Sequence, residues 1–278
     1  LEGNVITKDY VIRREFLVEE RDPFNVKKIR RTQEKLYNLG FFSDVAIEIG
    51  ETNDPYRADL ICQVTEQRTG LLSLGAGYSS QDGLVGTFQI TQSNLFGRGQ
   101  RLDLMLEFGK KKTNYQVGFT EPWFLGRHVL FGIDVYDTDR DRDDYREMRT
   151  GGDIRVGPHL TDILSLYFTY TYERVKIYDA IPDFKIYEGK KDSSNFTTYL
   201  VRDSRDNIFD ASRGSRNSIS FEFSGGILGG DTDFVKTSIS SSWYFPTFWR
   251  FVLAAQLRYA IVSSFPPSTG VPIYERFY

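Results

Sequence analysis

Alternation of apolar and polar residues, in one short segment after another from Thr69 to Phe251, is the feature that most constrains this fold. Within residues 101–108 (RLDLMLEF), the leucines and Phe108 point one way, and the residues between them point the other. A period of two is typical of a strand that separates an apolar medium from a polar one. Because the pattern recurs with no long apolar run, the candidates are a water-soluble β-sandwich and a transmembrane β-barrel.

Composition does not decide between these two classes. A mean hydropathy of −0.39 and a hydrophobic content of 40% are typical of soluble proteins. Barrel strands give similar values, because half of their residues face a polar lumen. The aromatic content of 15% suits the two interfacial girdles of a barrel. The net charge of −3 gives no indication of a nucleic-acid partner.

Residues 1–67 follow a different pattern, which predicts a small α+β module. Thr7 is expected to cap a short helix over 8–17, and Asn25 a second helix that Gly40 ends. Two strands are expected near 42–49 and 58–66, on either side of a turn at 52–55.

The region after Thr69 is predicted to be all strand and turn. Eleven strands are expected, near 70–79, 83–92, 100–109, 114–121, 128–138, 146–157, 161–173, 193–202, 216–225, 234–244 and 249–262. Every second turn is polar, whereas turns of the alternate set carry aromatic residues, at 94–97, 121–126 and 245–249. A membrane–water interface at one end of the strands explains this sorting, and a sandwich does not. We therefore predict a transmembrane barrel.

Short motifs add a family resemblance that spans the chain. Residues 36–42 (LYNLGFF) resemble the second helix and following strand of a POTRA domain. Residues 69–83 (TGLLSLGAGYSSQDG) resemble the first barrel strand of BamA-like outer-membrane assembly proteins. The other matching segments are NLFGRGQ (94–100), EPWFLGR (121–127), DSRDNIFDASRGS (203–215) and PIYERFY (272–278), the last leading into the family's sixth external loop.

This resemblance implies both a fold and a function. Residues 1–67 are expected to be a POTRA domain with a truncated first strand, and 69–278 the N-terminal part of a mostly antiparallel sixteen-stranded barrel. About five further strands and a Val-Arg-Gly-Phe loop are expected beyond Tyr278. The implied function is the folding and insertion of β-barrel proteins into the bacterial outer membrane, with the POTRA domain in the periplasm. The implied partners are unfolded barrel clients, membrane lipid including lipopolysaccharide, and accessory assembly lipoproteins.

The first barrel strand is the main candidate site. In the family it meets the last strand at a seam, and a seam that opens sideways lets a client strand pair with the exposed edge. The residues expected to form this lateral gate are Gly70, Leu72, Leu74, Gly75, Ala76, Gly77 and Tyr78. Glycines weaken a strand, which favours the gate, although they also relieve crowding in a curved wall.

Two further sets of residues are candidates. A second pairing edge is predicted in the POTRA module at Phe42, Val45, Ile47 and Ile49, unless that edge is covered. Aromatic side chains in the turns are expected to anchor the barrel at the interface, with client binding as the alternative, at Trp123, Phe124, Phe248 and Trp249.

No pattern of catalytic, cofactor-binding or metal-binding residues emerges, so we expect neither an enzyme nor a cofactor. His128 and His159 lack zinc-ligand spacing, and Cys62 has no candidate base beside it. Two rival functions remain open: a POTRA-bearing polypeptide secretion pore of the two-partner type, and a soluble β-rich binding protein.

Overall fold

The computed structural model describes residues 1–50, 57–79, 83–161, 163–206, 210–268 and 270–277. The chain divides into two compact units, one formed by Leu1–Leu74 with Phe88–Leu104 and the other by Gly75–Thr87 with Met105–Tyr278. The first unit therefore contains the predicted α+β module together with parts of three strands of a large sheet.

The module begins with two helices, α1 (Asp9–Arg13) and α2 (Val26–Asn38). The side chain of Asn25 accepts a hydrogen bond of 3.2 Å from the Lys28 amide, and Gly40 leaves α2 with a φ of 72°, so both predicted ends of this helix are confirmed. The expected cap at Thr7 is wrong. Lys8 occupies the N-cap position without a side-chain bond, because the Thr7 hydroxyl is held by Asn94 instead. Helix α1 is correspondingly shorter than the expected 8–17.

Two antiparallel strands, β1 (Phe42–Gly50) and β2 (Asp59–Glu66), complete the module close to their expected bounds. The expected turn at 52–55 lies outside the described residues. The strands and helices share one apolar core, formed by Val11, Ile12, Leu36, Phe41, Phe42, Val45, Cys62 and Val64. Cys62 is 1% exposed, and burial raises the pKa of its thiol. Cys62 is therefore a small core residue.

The remaining strands form one sheet in which each strand pairs with its neighbours in the sequence. Their bounds are β3 Gly70–Ser79, β4 Gly83–Leu95, β5 Gln100–Gly109, β6 Lys112–Glu121, β7 Val129–Asp141, β8 Arg146–Thr161, β9 Leu164–Tyr178, β10 Gly189–Asp203, β11 Gly214–Ser224, β12 Phe234–Pro246 and β13 Val252–Ser264. All eleven predicted strands are confirmed. Strand β13 begins later than expected, because Trp249 has a φ of 62° and the Thr247 amide closes a turn on the Phe251 carbonyl.

In this sheet the apolar face is exposed and the charged face is shielded, which is the reverse of a water-soluble protein. On one face, Ile133 lies opposite Ile154, which lies opposite Tyr170, and the three side chains are 39%, 47% and 40% exposed. On the other face, charged residues such as Glu147 and Glu173 are only 3% and 4% exposed. Apolar residues that face outward and charged residues that are shielded are typical of barrel strands with a lipid side and a lumen side. None of the helices in the described part of the chain is long and apolar enough to cross a membrane.

Candidate functional site

Strand β3 is the last strand at one edge of the described sheet, since it pairs with β4 alone. Its side chains are open on both faces. Leu72, Leu74 and Tyr78 are 60%, 73% and 80% exposed, and Gly70, Gly75, Ala76 and Gly77 are exposed as well. The residues predicted to form the lateral gate thus lie together on the outer strand of the described sheet, and their role as a gate stays a prediction.

The backbone of β3 alternates between its partner and its free edge. The Ser93 amide donates a 3.0 Å bond to the Thr69 carbonyl, so Thr69 directs its backbone groups toward β4. In an antiparallel pair the next residue directs its N–H and C=O the opposite way. This alternation turns the backbone of Leu72, Leu74 and Ala76 toward the free edge. Those amides are the ones available to an incoming strand.

The glycines of β3 differ in what they do. A Cβ atom at Gly75 would lie 2.6 Å from the Thr87 hydroxyl, and one at Gly70 would lie 2.8 Å from the Gln92 side-chain oxygen. These two glycines leave room for β4 side chains. At Gly77 a Cβ atom would meet nothing within 4 Å, so packing gives no reason for glycine there. Gly77 therefore weakens the strand without relieving any crowding.

Strand β1 is the outer strand of the module sheet in the described region, because Glu2 bridges to Gln63 on the far side of β2. Phe42 and Val45 point into the core, Ile47 packs partly against it, and Ile49 is 60% exposed. The Gln33 side chain donates a 2.6 Å bond to the Val45 carbonyl, so α2 covers part of this edge. The second predicted pairing edge is therefore partly occupied within the module.

A buried hydrogen-bond cluster joins the module to the turn between β4 and β5. Thr7 and Asn94 are each 3% exposed, and the Asn94 amide donates to the Thr7 hydroxyl at 2.9 Å. The Asn94 side-chain oxygen accepts from the Gly99 amide at 2.7 Å, and the Lys8 amide donates to the Gly97 carbonyl at 2.9 Å. Buried polar groups that are fully bonded specify one arrangement. This cluster therefore fixes the turn against the module.

Glu66, at the end of β2, holds the same segment from the other side. Its carboxylate accepts hydrogen bonds from the Ile6 amide at 2.9 Å and the Thr7 amide at 2.6 Å. Burial on its own would raise the pKa of this carboxyl, but the bonds from Thr7, Ile6 and Val5 outweigh burial and lower the pKa below the ordinary 4.5.

Acidification should therefore release residues 4–8. A carboxyl with a lowered pKa stabilises the fold above its unfolded pKa, and this contribution is lost as the pH falls through the folded value. We expect the hydrogen-exchange protection factors of the Ile6 and Thr7 amides to drop below pH 4.5, the ordinary pKa of the Glu66 carboxyl. In Glu66→Gln this pH dependence should disappear. Glu2→Gln is the matched control, since the Glu2 carboxylate accepts a bond from the Gln63 side chain and from no backbone amide among the described residues. An unchanged pH profile in Glu66→Gln would contradict the assignment.

On the shielded face of the sheet, Arg149 of β8 is the centre of a charge network. It binds Glu147, and it donates to Glu173 at 3.2 Å and to Glu275 at 3.3 Å. Lys236 of β12 donates to the second oxygen of Glu275 at 2.9 Å. The Tyr136 hydroxyl adds a 2.8 Å bond to Glu173. Four strands are thus connected through a small number of buried charges.

The segment that carries Glu275 lies against this network. Ile273 is 2% exposed in a small apolar cluster with Tyr145, Ile177 and Ala180, and the Arg149 guanidinium lies 5.1 Å from the Tyr274 ring centre. Residues 273–277 are therefore docked on the polar face by apolar and ionic contacts together. From the sequence this segment was predicted only as the approach to an external loop, and no functional role was assigned to Arg149 or Lys236. Charged residues at inward positions of the strands were the available signal.

The aromatic residues predicted to anchor the chain belong to two turns. Trp123 stacks on His128 at 4.8 Å, and Phe124 stacks on Phe131 at 4.5 Å. Phe248 and Trp249 are 78% and 90% exposed. Large apolar side chains exposed at strand ends suit an interfacial position, and their role stays a prediction.

Comparisons with known proteins agree with this geometry. A sequence model of the Omp85 superfamily domain matches residues 94–278, and a POTRA model, described as surface antigen variable number repeat, matches residues 1–67. The outer membrane protein assembly factor BamA of Nitratidesulfovibrio vulgaris is 32% identical over 100% of this chain and 36% of its own length. The BamA of Neisseria meningitidis serogroup B is 27% identical over 99% of this chain and 37% of its own length. This chain therefore spans little more than a third of these two relatives.

Among solved structures, the chain is similar to the crystal structure of BamA from Haemophilus ducreyi lacking POTRA domains 1-3. The TM-score is 0.76 at 22% identity, over 99% of this chain and 56% of that one. This likeness concerns the fold, and it extends across the module and the sheet.

Proposed function

This chain belongs to the Omp85 superfamily, and from that premise we propose that it takes part in folding β-barrel proteins and inserting them into the outer membrane. Residues 1–67 serve as a POTRA domain on the periplasmic side, and residues 69–278 serve as barrel wall. The clients are unfolded β-barrel chains. The other expected partners are membrane lipid, including lipopolysaccharide, and accessory assembly lipoproteins.

The observation that carries this proposal is the loose packing of β3, whose glycines and exposed leucines make few side-chain contacts with β4. Its amides around Leu74 point away from β4, toward the side on which another strand can pair. A barrel strand that enters lipid alone exposes backbone groups, and each of these costs several kcal/mol in hydrocarbon. A preformed edge supplies those bonds one by one and thus removes the main barrier to insertion. The process needs no covalent chemistry and no cofactor.

The edge strand also has to open, and its structure suits that need. Gly77 lowers the packing of β3 on its neighbour, and the exposed leucines gain little from contact within the sheet. Client insertion would therefore occur at the β3 edge rather than through the lumen.

A reconstitution experiment tests the proposed function. The complete product of the gene that encodes this chain is placed in liposomes, and the folding of an unrelated barrel client is followed by its resistance to protease. We expect client folding to be about tenfold faster than in empty liposomes, which corresponds to about 1.4 kcal/mol of barrier. Heat-denatured protein at the same density is the control. Equal rates with and without the protein would contradict the proposal.

The rival secretion pore gives a different result in the same liposomes. A pore conducts ions and passes one cognate polypeptide through its lumen, without accelerating unrelated barrels. Conductance and transport without client folding would therefore contradict the proposed insertion function and support the secretion pore.

A further inference from the structure

The first unit carries an exposed apolar cluster beside the β4–β5 turn, and we propose that this cluster binds the surface of the bilayer that holds the barrel. We call it the rim patch and define it by Val5, Ile6, Tyr10 and Phe96. These side chains are 90%, 61%, 52% and 75% exposed. Single exposed apolar residues are ordinary, but a group of four large ones marks an interaction site.

The four residues of the rim patch come from two backbone segments in direct contact. The Lys8 amide bonds the Gly97 carbonyl at 2.9 Å, next to Phe96. A Cβ atom at Gly97 would overlap the Ile6 carbonyl oxygen, at 1.9 Å. The buried bond between Thr7 and Asn94 holds both segments in place. The patch is therefore a fixed surface, prepared before anything binds to it.

The position of Phe96 indicates what covers the patch. Phe96 lies in the β4–β5 turn, one of the aromatic turns that end the membrane-facing strands. Aromatic side chains at such turns lie at the level of the lipid headgroups. The Ile6 backbone touches this turn at Gly97, and the exposed side chains of Ile6 and the preceding Val5 add apolar surface on the module. A bilayer surface at the level of this turn would therefore also cover the patch, and no separate protein partner is needed to do so.

Charge supports the same occupant. Lys8 and Arg98, each two residues along the chain from a patch residue, are exposed. Cations close to an anionic bilayer are attracted to it. The carboxylate of Asp9 accepts a 2.7 Å bond from the Asn4 amide, which leaves its charge in place, so Asp9 offsets part of this attraction. Apolar residues between basic ones are the composition of an interfacial lipid contact.

Fluorescence quenching tests the proposal directly. An environment-sensitive fluorophore is attached at Val5→Cys in the complete gene product, which is reconstituted in phosphatidylcholine vesicles with and without phosphatidylglycerol. Some of the lipids carry a spin-label quencher near the headgroup. The matched control is Tyr37→Cys, because Tyr37 is 59% exposed on α2, outside the patch. The unsubstituted protein gives the labelling background, to which Cys62, the one cysteine of this chain, contributes little because it is 1% exposed.

We expect quenching at position 5 to exceed quenching at position 37 by about twofold or more. Lys8→Glu combined with Arg98→Glu should reduce the quenching at position 5 when phosphatidylglycerol is present and leave it unchanged in pure phosphatidylcholine. Mobility shifts on heating in gels verify that each labelled variant is folded. The readout does not require client insertion, so it stands even if the proposed insertase function fails.

Three results would overturn the lipid contact. Equal quenching at positions 5 and 37 would mean that lipid contacts the patch no more than the control surface on α2. Absent quenching at position 5 would mean that the patch is away from the bilayer. A spectral shift at position 5 that follows protein density and ignores the quencher would assign the patch to a second copy of the chain.

Discussion

Replacing Leu74 by proline should abolish client assembly while the protein still folds. Leu74 directs its amide toward the free edge of β3, so proline there removes a donor that β4 does not use. A client strand that docks at this position keeps one carbonyl unpaired in lipid, which costs several kcal/mol. We expect the rate of client folding in liposomes to fall by more than about tenfold.

Two matched variants separate this effect from general damage to β3. Leu74→Ala removes the same side chain and keeps the amide, so it should retain most of the activity. Ser73→Pro removes an amide that points toward β4, and it should loosen the hairpin and lower the thermal stability. Full activity in Leu74→Pro, or equal losses in Leu74→Pro and Leu74→Ala, would show that the β3 edge does not template clients.

The strands of this fold could be predicted from the sequence, whereas side-chain contacts between distant residues could not. Alternation is a local property, and it identified each of the eleven strands because every strand separates an apolar face from a polar one. Thr7 was misassigned as a helix cap because its partner, Asn94, lies 87 residues away. No local pattern indicates such a bond.

The glycines of β3 show the same limit in another form. In the sequence Gly70, Gly75 and Gly77 are equivalent signs of a weak strand. The structure separates them by what a Cβ atom would meet, since Thr87 and Gln92 approach two of them and nothing approaches Gly77. The register between β3 and β4 determines which glycine faces a β4 side chain. Local sequence does not define that register.

The second large effect is expected at Arg149, where methionine keeps an unbranched apolar stem and removes the charged guanidinium. Glu147, Glu173 and Glu275 would each lose an ionic partner on a shielded face. Removing one member of a buried ionic group costs about 3–5 kcal/mol. Other bonds to the three carboxylates persist, so we expect about 3 kcal/mol, the low end of this range.

This loss should appear as release of residues 273–277. Trypsin cleaves after Arg276, which lies within the docked segment, and the cleavage rate follows the fraction of molecules in which the segment is detached. A change of about 3 kcal/mol corresponds to cleavage about a hundred times faster in Arg149→Met. Lys236→Met should have a smaller effect, since Lys236 has one ionic partner, Glu275, and a ring contact with Phe277, whereas Arg149 has three ionic partners.

A double variant distinguishes the ionic contacts from the apolar ones. If uncompensated carboxylates drive the release, then Arg149→Met combined with Glu275→Gln should be cleaved more slowly than Arg149→Met alone, because one buried charge is removed. If Ile273 and the cluster around Tyr145 hold the segment, all these variants should resist trypsin as the unsubstituted protein does. The ionic interpretation fails in that case. Docking of the segment would then depend on apolar burial, and Arg149 would serve only to neutralise the polar face.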